Sequence, residues 1–429
     1  MNAQGREIRR IAGAVAVSLS SLGLHHVVDP RAVAQVKRPL MSILSVVLLG
    51  LAAGSRSLRG LERLSATLSF PTRRRLKLWR RLPDTTVRDV LARLEPETLR
   101  AVIHRQIRVA HRRKQLEPEE LPIRICAIDG KSTTTRVPEG PYAQARGKRS
   151  QLRTMTCALV SGPATVVVDA VPVPAETNEM GIFREVLDGL KASYGNLRLF
   201  DMVSTDAGMT SESNAAAVRA HGWHYLMALK DTQPTLLAEA ERLIGPRTTD
   251  APAAKTTDVR DNQTSVIRSI WITNEAAGYH GWTHLKTMIR VRREVCRDDG
   301  HVLSCTDRYF ASSLGVSKMT ASQWLRAVRV HWRVENDVHG VLDRFYKEDD
   351  HPWLYATNGQ LAVALLRRVV LNMMTLYRNV SRRGEHKGNI PWRELIHTTY
   401  VILVGATEAH LAGLRWPKLQ PCRARGQPG

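Results

Sequence analysis

The sequence is short of cysteine and of long apolar runs. Its five cysteines form no Cys-x-x-Cys pair and are scattered over 429 residues: Cys126, Cys157, Cys296, Cys305 and Cys422. An odd, scattered set argues against a disulfide framework and fits a reducing cytoplasm. The apolar run at residues 41–54 (MSILSVVLLGLAAG) is shorter than the roughly 20 residues that a membrane-spanning helix needs. We therefore predict that it is a buried helix and that the chain has no membrane span.

Acidic residues are also scarce relative to basic ones. The chain has 40 Asp and Glu against 63 Lys and Arg, which gives a formal net charge of +23. Phosphate backbone is the commonest partner that neutralises such an excess, so nucleic acid is the leading ligand. A ribosomal protein, a basic regulator or a membrane-surface binder would share this composition, so the charge indicates a class of partner and no mechanism.

Residues 11–24 (IAGAVAVSLSSLGL) follow two arginines and resemble the apolar part of a signal peptide. Serines dilute the run and no small-x-small cleavage site follows it, so we interpret it as a first helix. The predicted location is cytoplasmic, in association with the nucleoid.

The first quarter of the chain has helical periodicity. Apolar residues recur at helical spacing from residue 27 to about 116, which predicts an all-helical N-terminal domain over residues 1–117. Two basic runs in it, RRRLKLWRR at 73–81 and HRQIRVAHRRK at 104–114, have the interleaved apolar residues of amphipathic helices. Solvation explains any single arginine there, but the clusters suggest DNA contact. The candidates are Arg73, Arg74, Arg75, Lys77, Arg80, Arg81, Arg112, Arg113 and Lys114.

After Pro118 the pattern changes to strands that alternate with helices, which indicates an α/β class. Strands are predicted at 123–128, 154–160, 165–173, 197–205 and 225–229, and helices at 180–194, 211–221 and 234–244. We divide the remainder into a first part of the core at 118–246, a β-rich insertion at 247–314, a last, helical part of the core at 315–380 and a basic tail at 381–429.

Two aspartates follow predicted buried strands. Asp129 comes after IRICAI and Asp206 after LRLFDMVST. Phosphodiester chemistry needs charge neutralisation and an activated oxygen, which two divalent cations held by carboxylates can supply. Either aspartate alone fits a cap or turn residue, but the pair at the ends of two strands of one sheet favours a metal site.

A third carboxylate is expected from a helix beside these strands, and Glu335 lies in the predicted helix at 318–345. Helical spacing places it on one face with His339 and Asp343. Glu335 equally fits a solvent-facing ion pair with Arg333 or Arg329. The spacing leaves both interpretations open.

Four motifs carry a family resemblance: AIDGK at 127–131, TDA at 205–207, YLMALKDTQPTLL at 225–237, and HWRVEN at 331–336 with Leu-Asp at 342–343. The chain resembles the ISAs-type insertion-sequence transposases, the group that includes the H-repeat-associated proteins. The resemblance implies a ribonuclease H-like core, a mixed sheet flanked by helices. It also implies a DDE triad of Asp129, Asp206 and Glu335 with two Mg²⁺ or Mn²⁺ ions. The helical domain is then expected to hold the element's terminal inverted repeats.

The match includes departures and accessory positions. Related transposases with a Tyr-Arg-Glu-Lys signature place Arg four residues before the catalytic Glu and Lys seven after it, where this chain has His331 and Leu342, so hairpin excision is not implied. A His-Gly-Arg-x-Glu-like stretch is missing from 261–268 (DNQTSVIR). The possible accessory residues are Lys131, Lys230, Asp231, His331, His339 and Asp343. Lys230 and Asp231 also fit a structural role, with Asp231 as a cap of the helix near Pro234.

The sequence therefore predicts a transposase that cuts and rejoins double-stranded DNA, both element ends and target, as a homo-oligomer when synapsed on DNA. One alternative is an inactive or domesticated transposase that only binds DNA. The other is a ribonuclease H-like nuclease without end specificity.

Overall fold

The computed structural model describes residues 3–32, 36–135, 140–146, 149–260, 264–381, 388 and 390–417. The start of the DNQTSVIR stretch, residues 261–263, and part of the predicted tail, including 418–429, lie outside the described residues. The helices are α1 (Ala3–Ser21), α2 (Leu40–Ala52), α3 (Leu58–Thr67), α4 (Phe70–Arg75), α5 (Asp84–Arg93), α6 (Pro96–Arg112), α7 (Glu179–Tyr194), α8 (Glu212–Ala220), α9 (Pro234–Ile244), α10 (Ala321–Val330), α11 (Gly340–Arg344), α12 (Thr357–Leu376), α13 (Trp392–Gly405) and α14 (Glu408–Leu411). The strands are β1 (Ile125–Thr135), β2 (Ala143–Arg146), β3 (Arg149–Leu159), β4 (Val166–Pro172), β5 (Met202–Thr205), β6 (His224–Leu229), β7 (Ala254–Arg260), β8 (Thr264–Thr273), β9 (Thr287–Arg297) and β10 (Val302–Ser312).

Helices α1 to α6 precede the sheet, as the periodicity predicts. Nearly every residue of α2 is buried, which confirms the interpretation of 41–54 as a buried helix. The prediction of one amphipathic helix over 73–81 is wrong. Helix α4 ends at Arg75, Lys77 adopts a left-handed backbone with φ 52°, and Leu76, Leu78 and Leu82 turn into the core.

The described strands form one mixed sheet flanked by helices, which confirms the predicted α/β architecture. Its order is β2-β3-β1-β5-β6-β10-β9-β8-β7, and β4 pairs with β3. Strand β1 is antiparallel to β3 and parallel to β5, and β5 is parallel to β6. The segment 247–314 extends this same sheet, because β10 pairs with β6 antiparallel. The sequence analysis did not predict β2 or β7.

Helix α12 lies at the centre of the packing. The helical stretch Thr357–Ser381 is long and apolar enough to cross a membrane, yet 94% of its apolar window is buried inside the protein, as in a core helix. The Asn372 side chain accepts a hydrogen bond from Val167 N at 2.7 Å and donates to Val167 O at 2.8 Å. It thereby occupies the edge of β4 as a neighbouring strand would.

Salt bridges join the helical region to the sheet. Arg100 of α6 donates from Nε and Nη2 to the two oxygens of Asp169 in β4, at 2.9 and 2.7 Å. Asp169 is fully buried, and His104 Nε2 lies 3.1 Å from its carboxylate. Because a buried carboxylate is costly without such partners, this contact fixes where α6 docks on the sheet.

Candidate active site

Asp129 and Asp206 lie side by side because of strand register. The last paired residues of the parallel strands are Ile128 of β1 and Thr205 of β5, so each aspartate directly follows the last paired residue, Asp129 within β1 and Asp206 just after the end of β5. Parallel neighbours are about 4.8 Å apart, which brings the two side chains to the same edge. The sequence analysis placed Asp129 after the end of its strand, and this is wrong. Strand β1 continues to Thr135 against β3, and only its pairing with β5 stops at this point.

Glu335 lies in a helical segment beside these strands. Residues Val334–His339 form a π-helical turn, in which Gly340 N donates to the carbonyl of Glu335. Such turns re-aim side chains and are frequent at functional sites. The two arginines considered as ion-pair partners are engaged elsewhere: Arg333 pairs with Asp337 at 2.9 Å and Arg329 with Asp258 at 3.1 Å. Neither of the two arginines named in the ion-pair interpretation therefore pairs with Glu335.

Two residues of the predicted polar stripe on this helix, His339 and Asp343, lie against β1. His339 Nδ1 lies 3.4 Å from Asp129 Oδ2, and Asp343 Oδ1 lies 2.7 Å from Lys131 Nζ. Asp129 and Lys131 are two residues apart and so project from one face of the strand. Burial lowers the pKa of His339 to about 3, so its ring is neutral near pH 7. A neutral ring can donate a hydrogen bond from Nδ1 to Asp129.

A fourth carboxylate, which the sequence analysis did not name as a site residue, approaches the aspartates from α7. Glu179 is the first residue of that helix, which Asn178 caps through Gly181 N. A Cβ atom built on Gly130 would lie 2.2 Å from Glu179 Oε1. The absence of a side chain at Gly130 is therefore what allows this carboxylate to approach β1.

The four carboxylates are electrostatically coupled. Burial raises the pKa of Asp129 to about 7, and repulsion from Asp206, Glu335 and Glu179 adds to the shift. Burial, together with Asp206, also raises the pKa of Glu179, against an opposing effect of Arg153. Like charges this close disfavour ionisation unless a cation lies between them.

The donor chemistry of this site fits a hard divalent cation. Carboxylate oxygens are the ligands that Mg²⁺ and Mn²⁺ prefer. Within the described parts of the chain, no three His, Cys, Asp or Glu side chains converge in metal-binding geometry. Asp129, Asp206 and Glu335 are the residues that would hold such a cation.

Comparison with known proteins identifies the family. A family model described as the transposase DDE domain matches residues 120–372, which is more than half of the chain and the range in which the four carboxylates lie. The chain belongs to the DDE transposases. It is 23% identical over 261 residues to the "H repeat-associated putative transposase YhhI" of Escherichia coli (strain K12), a match that spans 58% of this chain and 64% of that protein. The resemblance to insertion-sequence transposases predicted from the motifs is confirmed.

A solved structure also overlaps with the chain. It is a cryo-EM structure of the piggyBac transposase in a synaptic complex with hairpin DNA, with a TM-score of 0.46 and 10% sequence identity over 95% of this chain and 82% of that one.

A partly buried charge network lies near the carboxylates of this DDE transposase. Lys131 Nζ bonds Asp343 and also approaches Asp349 at 3.3 Å. Deeper in the fold, the buried Arg368 pairs with the buried Glu348 at 3.0 Å. Lys131 is only 6% exposed, and its ion pair with Asp343 ties the helix to β1.

The other accessory candidates have structural or surface positions. His331 is buried, and its Nδ1 lies 3.0 Å from Ser204 Oγ, two residues before Asp206. This contact ties the helix of Glu335 to β5. Lys230 and Asp231 are exposed, and the expectation that Asp231 caps α9 is wrong because the N-cap position is Gln233. The Gln233 side chain donates to Thr210 O at 2.7 Å, which holds the loop after Asp206.

The predicted DNA-binding residues divide into two groups. Arg73 donates to the backbone at Trp79 O, Arg75 pairs with Glu408 at 2.6 Å, and Arg81 approaches Glu62 at 3.4 Å. The remaining members are exposed: Arg74, Lys77, Arg80, Arg112, Arg113 and Lys114, of which Arg74 also lies 3.5 Å from Glu408. The exposed side chains of Phe70 (72% exposed) and Trp79 (70% exposed) belong to the same segment as Arg74, Lys77 and Arg80, so this segment combines cations with accessible aromatic rings.

Proposed function

We propose that this chain is an insertion-sequence transposase that cleaves DNA and transfers the freed strand to a target, with Asp129, Asp206 and Glu335 as its catalytic carboxylates. The observation that carries this proposal is the coupling of all three at the point where β1 and β5 stop pairing. Membership of the DDE transposase family supports it.

Two Mg²⁺ or Mn²⁺ ions bound by these carboxylates would neutralise charge on the phosphate and activate an oxygen nucleophile. The residues of the chain have separate tasks around that chemistry. Asp129 and Asp206 are fixed by strand register, and Glu335 is aimed by the π-helical turn. His339 orients Asp129 while staying neutral, so that it adds no charge to the cluster.

The sheet supports a ribonuclease H-like core as part of this proposal. Its central strands run in the order β4-β3-β1-β5-β6, with the first three antiparallel and the last three parallel. We assign end binding to the helical region before residue 118, whose exposed basic and aromatic residues suit DNA. The region 247–314 is proposed as an insertion that widens the sheet, and synapsis of two ends as the step that brings copies of the chain together.

The test is a cleavage and strand-transfer assay with Mg²⁺ or Mn²⁺. The DNA would carry the inverted repeats that flank the reading frame. Asp129→Asn and Glu335→Gln should each reduce the rate at least about 100-fold, the scale of losing a key electrostatic contact in a transition state. Glu185→Gln is the matched control, because Glu185 is exposed on the same helix as Glu179 but outside the cluster.

The outcomes separate three functions. Full activity in Asp129→Asn would overturn the proposed site. Binding of the repeats without metal-dependent cleavage by the wild-type protein would favour a DNA-binding relic. Equal cleavage of unrelated DNA would favour a nuclease without end specificity.

A further inference from the structure

A second basic surface lies apart from the residues that the sequence analysis selected. We call it the basic cleft, a cavity of about 560 Å³ whose lining includes Arg56, Arg344, Lys347, Arg393, His397 and Tyr400. Three separate segments build it: the turn after α2, the end of the helix that carries Glu335, and α13. No acidic side chain is among its described lining residues.

The charges of two arginines in the cleft are not neutralised by acidic side chains of the described residues. Arg56 and Arg393 are exposed, and neither forms an ion pair with an acidic side chain in the described part of the chain. Arg344 donates to the carbonyls of Gly340 and Asn336 at 2.9 and 3.4 Å, which holds its guanidinium at the cleft without neutralising it. Among the salt bridges of the described residues, Lys347 is the one cation of the cleft with an acidic partner, Asp350 at 3.5 Å. Uncompensated cations this close are favourable only where an anion or water screens them.

The backbone is adapted to bring these cations together. Gly54 has φ +79°, and a Cβ atom there would lie 2.8 Å from Ile396 Cγ2 of α13. Glycine at this position therefore allows the turn after α2 to approach α13 closely, so that Arg56 and Arg393 line the same cleft.

The cleft is connected to the carboxylates by one helical segment. Arg344 lies nine residues after Glu335 along the segment 334–344. At a helical rise of 1.5 Å per residue this is about 13 Å. Successive nucleotides of a duplex strand are 3.4 Å apart along the axis, so that distance corresponds to roughly four nucleotides.

We propose that the basic cleft binds the phosphate backbone of double-stranded DNA roughly four nucleotides from the phosphate held at the carboxylates. This inference rests on the proposed function for the position of the reacting phosphate. A backbone that passes through the cleft meets cations from three segments, and Tyr400, 40% exposed, lies at the surface beside them. The cleft then fixes the register of the DNA without reading its sequence.

Binding is measured by fluorescence anisotropy in EDTA, with a labelled random-sequence duplex of about 30 base pairs and NaCl from 50 to 200 mM. The logarithm of the association constant falls linearly with the logarithm of the salt concentration, and each lost phosphate contact makes this slope about 0.9 less steep. Arg56→Ala/Arg393→Ala should therefore lower the slope by about 2, and Arg56→Lys/Arg393→Lys should retain it. The matched control is Arg247→Ala/Arg297→Ala, which removes two exposed arginines from the region 247–314.

Three results would overturn the proposal: a wild-type slope in the cleft variant, an equal loss in the control, or tighter binding of an acidic peptide than of the duplex. Thermal unfolding of all variants identifies any that fail to fold. If the Ala variant fails to fold, Arg56→Lys/Arg393→Lys, which preserves the charge, is compared with the wild type instead.

A second measurement tests position. In the Asp129→Asn background, a neutral methylphosphonate is moved along one strand of the end DNA. The protein that retains Arg56 and Arg393 should bind more weakly when the methylphosphonate lies about four nucleotides from the cleavage site. The protein that also carries Arg56→Ala/Arg393→Ala should show no further loss of affinity at that position. No such position in either strand would overturn the assignment. Since neither assay requires cleavage, a protein that binds in this way but never cuts would contradict only the proposed function.

Discussion

The carboxylate cluster should destabilise the metal-free protein, and Asp129→Asn should relieve the strain. Burial and three neighbouring carboxylates raise the pKa of Asp129 from 3.8 to about 7. One pKa unit corresponds to 1.36 kcal/mol, so ionising Asp129 costs the fold at most about 4 kcal/mol. The amide has the same shape and no charge. At pH 8 the variant should be more stable than the wild type by about 1 to 4 kcal/mol.

The sign of the pH dependence follows from linkage. Because the pKa is raised in the folded state, the native protein binds the proton more tightly than the unfolded chain does. This contribution to stability is fully present below about pH 4 and is lost as the pH rises to about 7. The advantage of Asp129→Asn should therefore be large at pH 8 and much smaller at pH 4.5.

Urea unfolding in EDTA at the two pH values measures both quantities. Asp231→Asn is the control, because this exposed carboxylate should change the free energy of unfolding by less than about 0.5 kcal/mol. Adding Mn²⁺ at 100 times its dissociation constant should stabilise the wild type by about 2.7 kcal/mol and the variant much less. A variant that is less stable than the wild type at pH 8, or equally shifted at both pH values, would refute the reasoning.

Two further predictions concern how the helices dock on the sheet. Asp169→Asn removes the buried carboxylate that pairs with Arg100 and leaves this arginine paired with the exposed Glu97, so it should cost about 3 kcal/mol in urea unfolding at pH 7. Burial alone would raise the pKa of Asp169, but hydrogen bonds from Arg100 lower this pKa below 3.8. The stability of the wild type should therefore fall as the pH drops below about 4, and the stability of the variant should fall less. Asn372→Leu leaves Val167 N and O unpaired, and at about 1 to 3 kcal/mol for each buried group it should cost at least about 2 kcal/mol. Hydrogen exchange at the Val167 amide should accelerate with it; an unchanged exchange rate would mean that Asn372 does not cover this edge.

Most of the sheet could be predicted because its central strands are β-branched and apolar. The two strands that the sequence analysis did not predict lack that signal: β2 (AQAR) and β7 (AKTTDVR) are mostly polar or small. The predicted end of the first strand is wrong for a related reason. The residues after Asp129 are threonine-rich and continue β1 along β3. On the other edge of β1, the pairing with β5 stops at Ile128. Hydropathy reports burial, and it does not report on which side a strand loses its partner.

The candidate site shows the same division between local and tertiary information. Two aspartates beside buried strands can be found from local patterns, and the i, i+4, i+8 stripe placed His339 and Asp343 on the face that meets β1. Glu179 could not be found in this way, because its approach depends on the fold that brings α7 over Gly130. The π-helical turn at Glu335 has no periodicity signal either, since it adds one residue within an otherwise regular helical pattern.

The charge distribution implies that cation binding and DNA binding support each other. A chain with a net charge of +23 attracts phosphate overall, yet four carboxylates gather where the proposed function places the reacting phosphate. Without cations this cluster repels the phosphate that the basic cleft draws toward it. Cations that occupy the cluster remove that repulsion, and a bound phosphate in turn supplies oxygen atoms near them. Because linkage is reciprocal, DNA should tighten cation binding by the same factor by which cations tighten DNA binding.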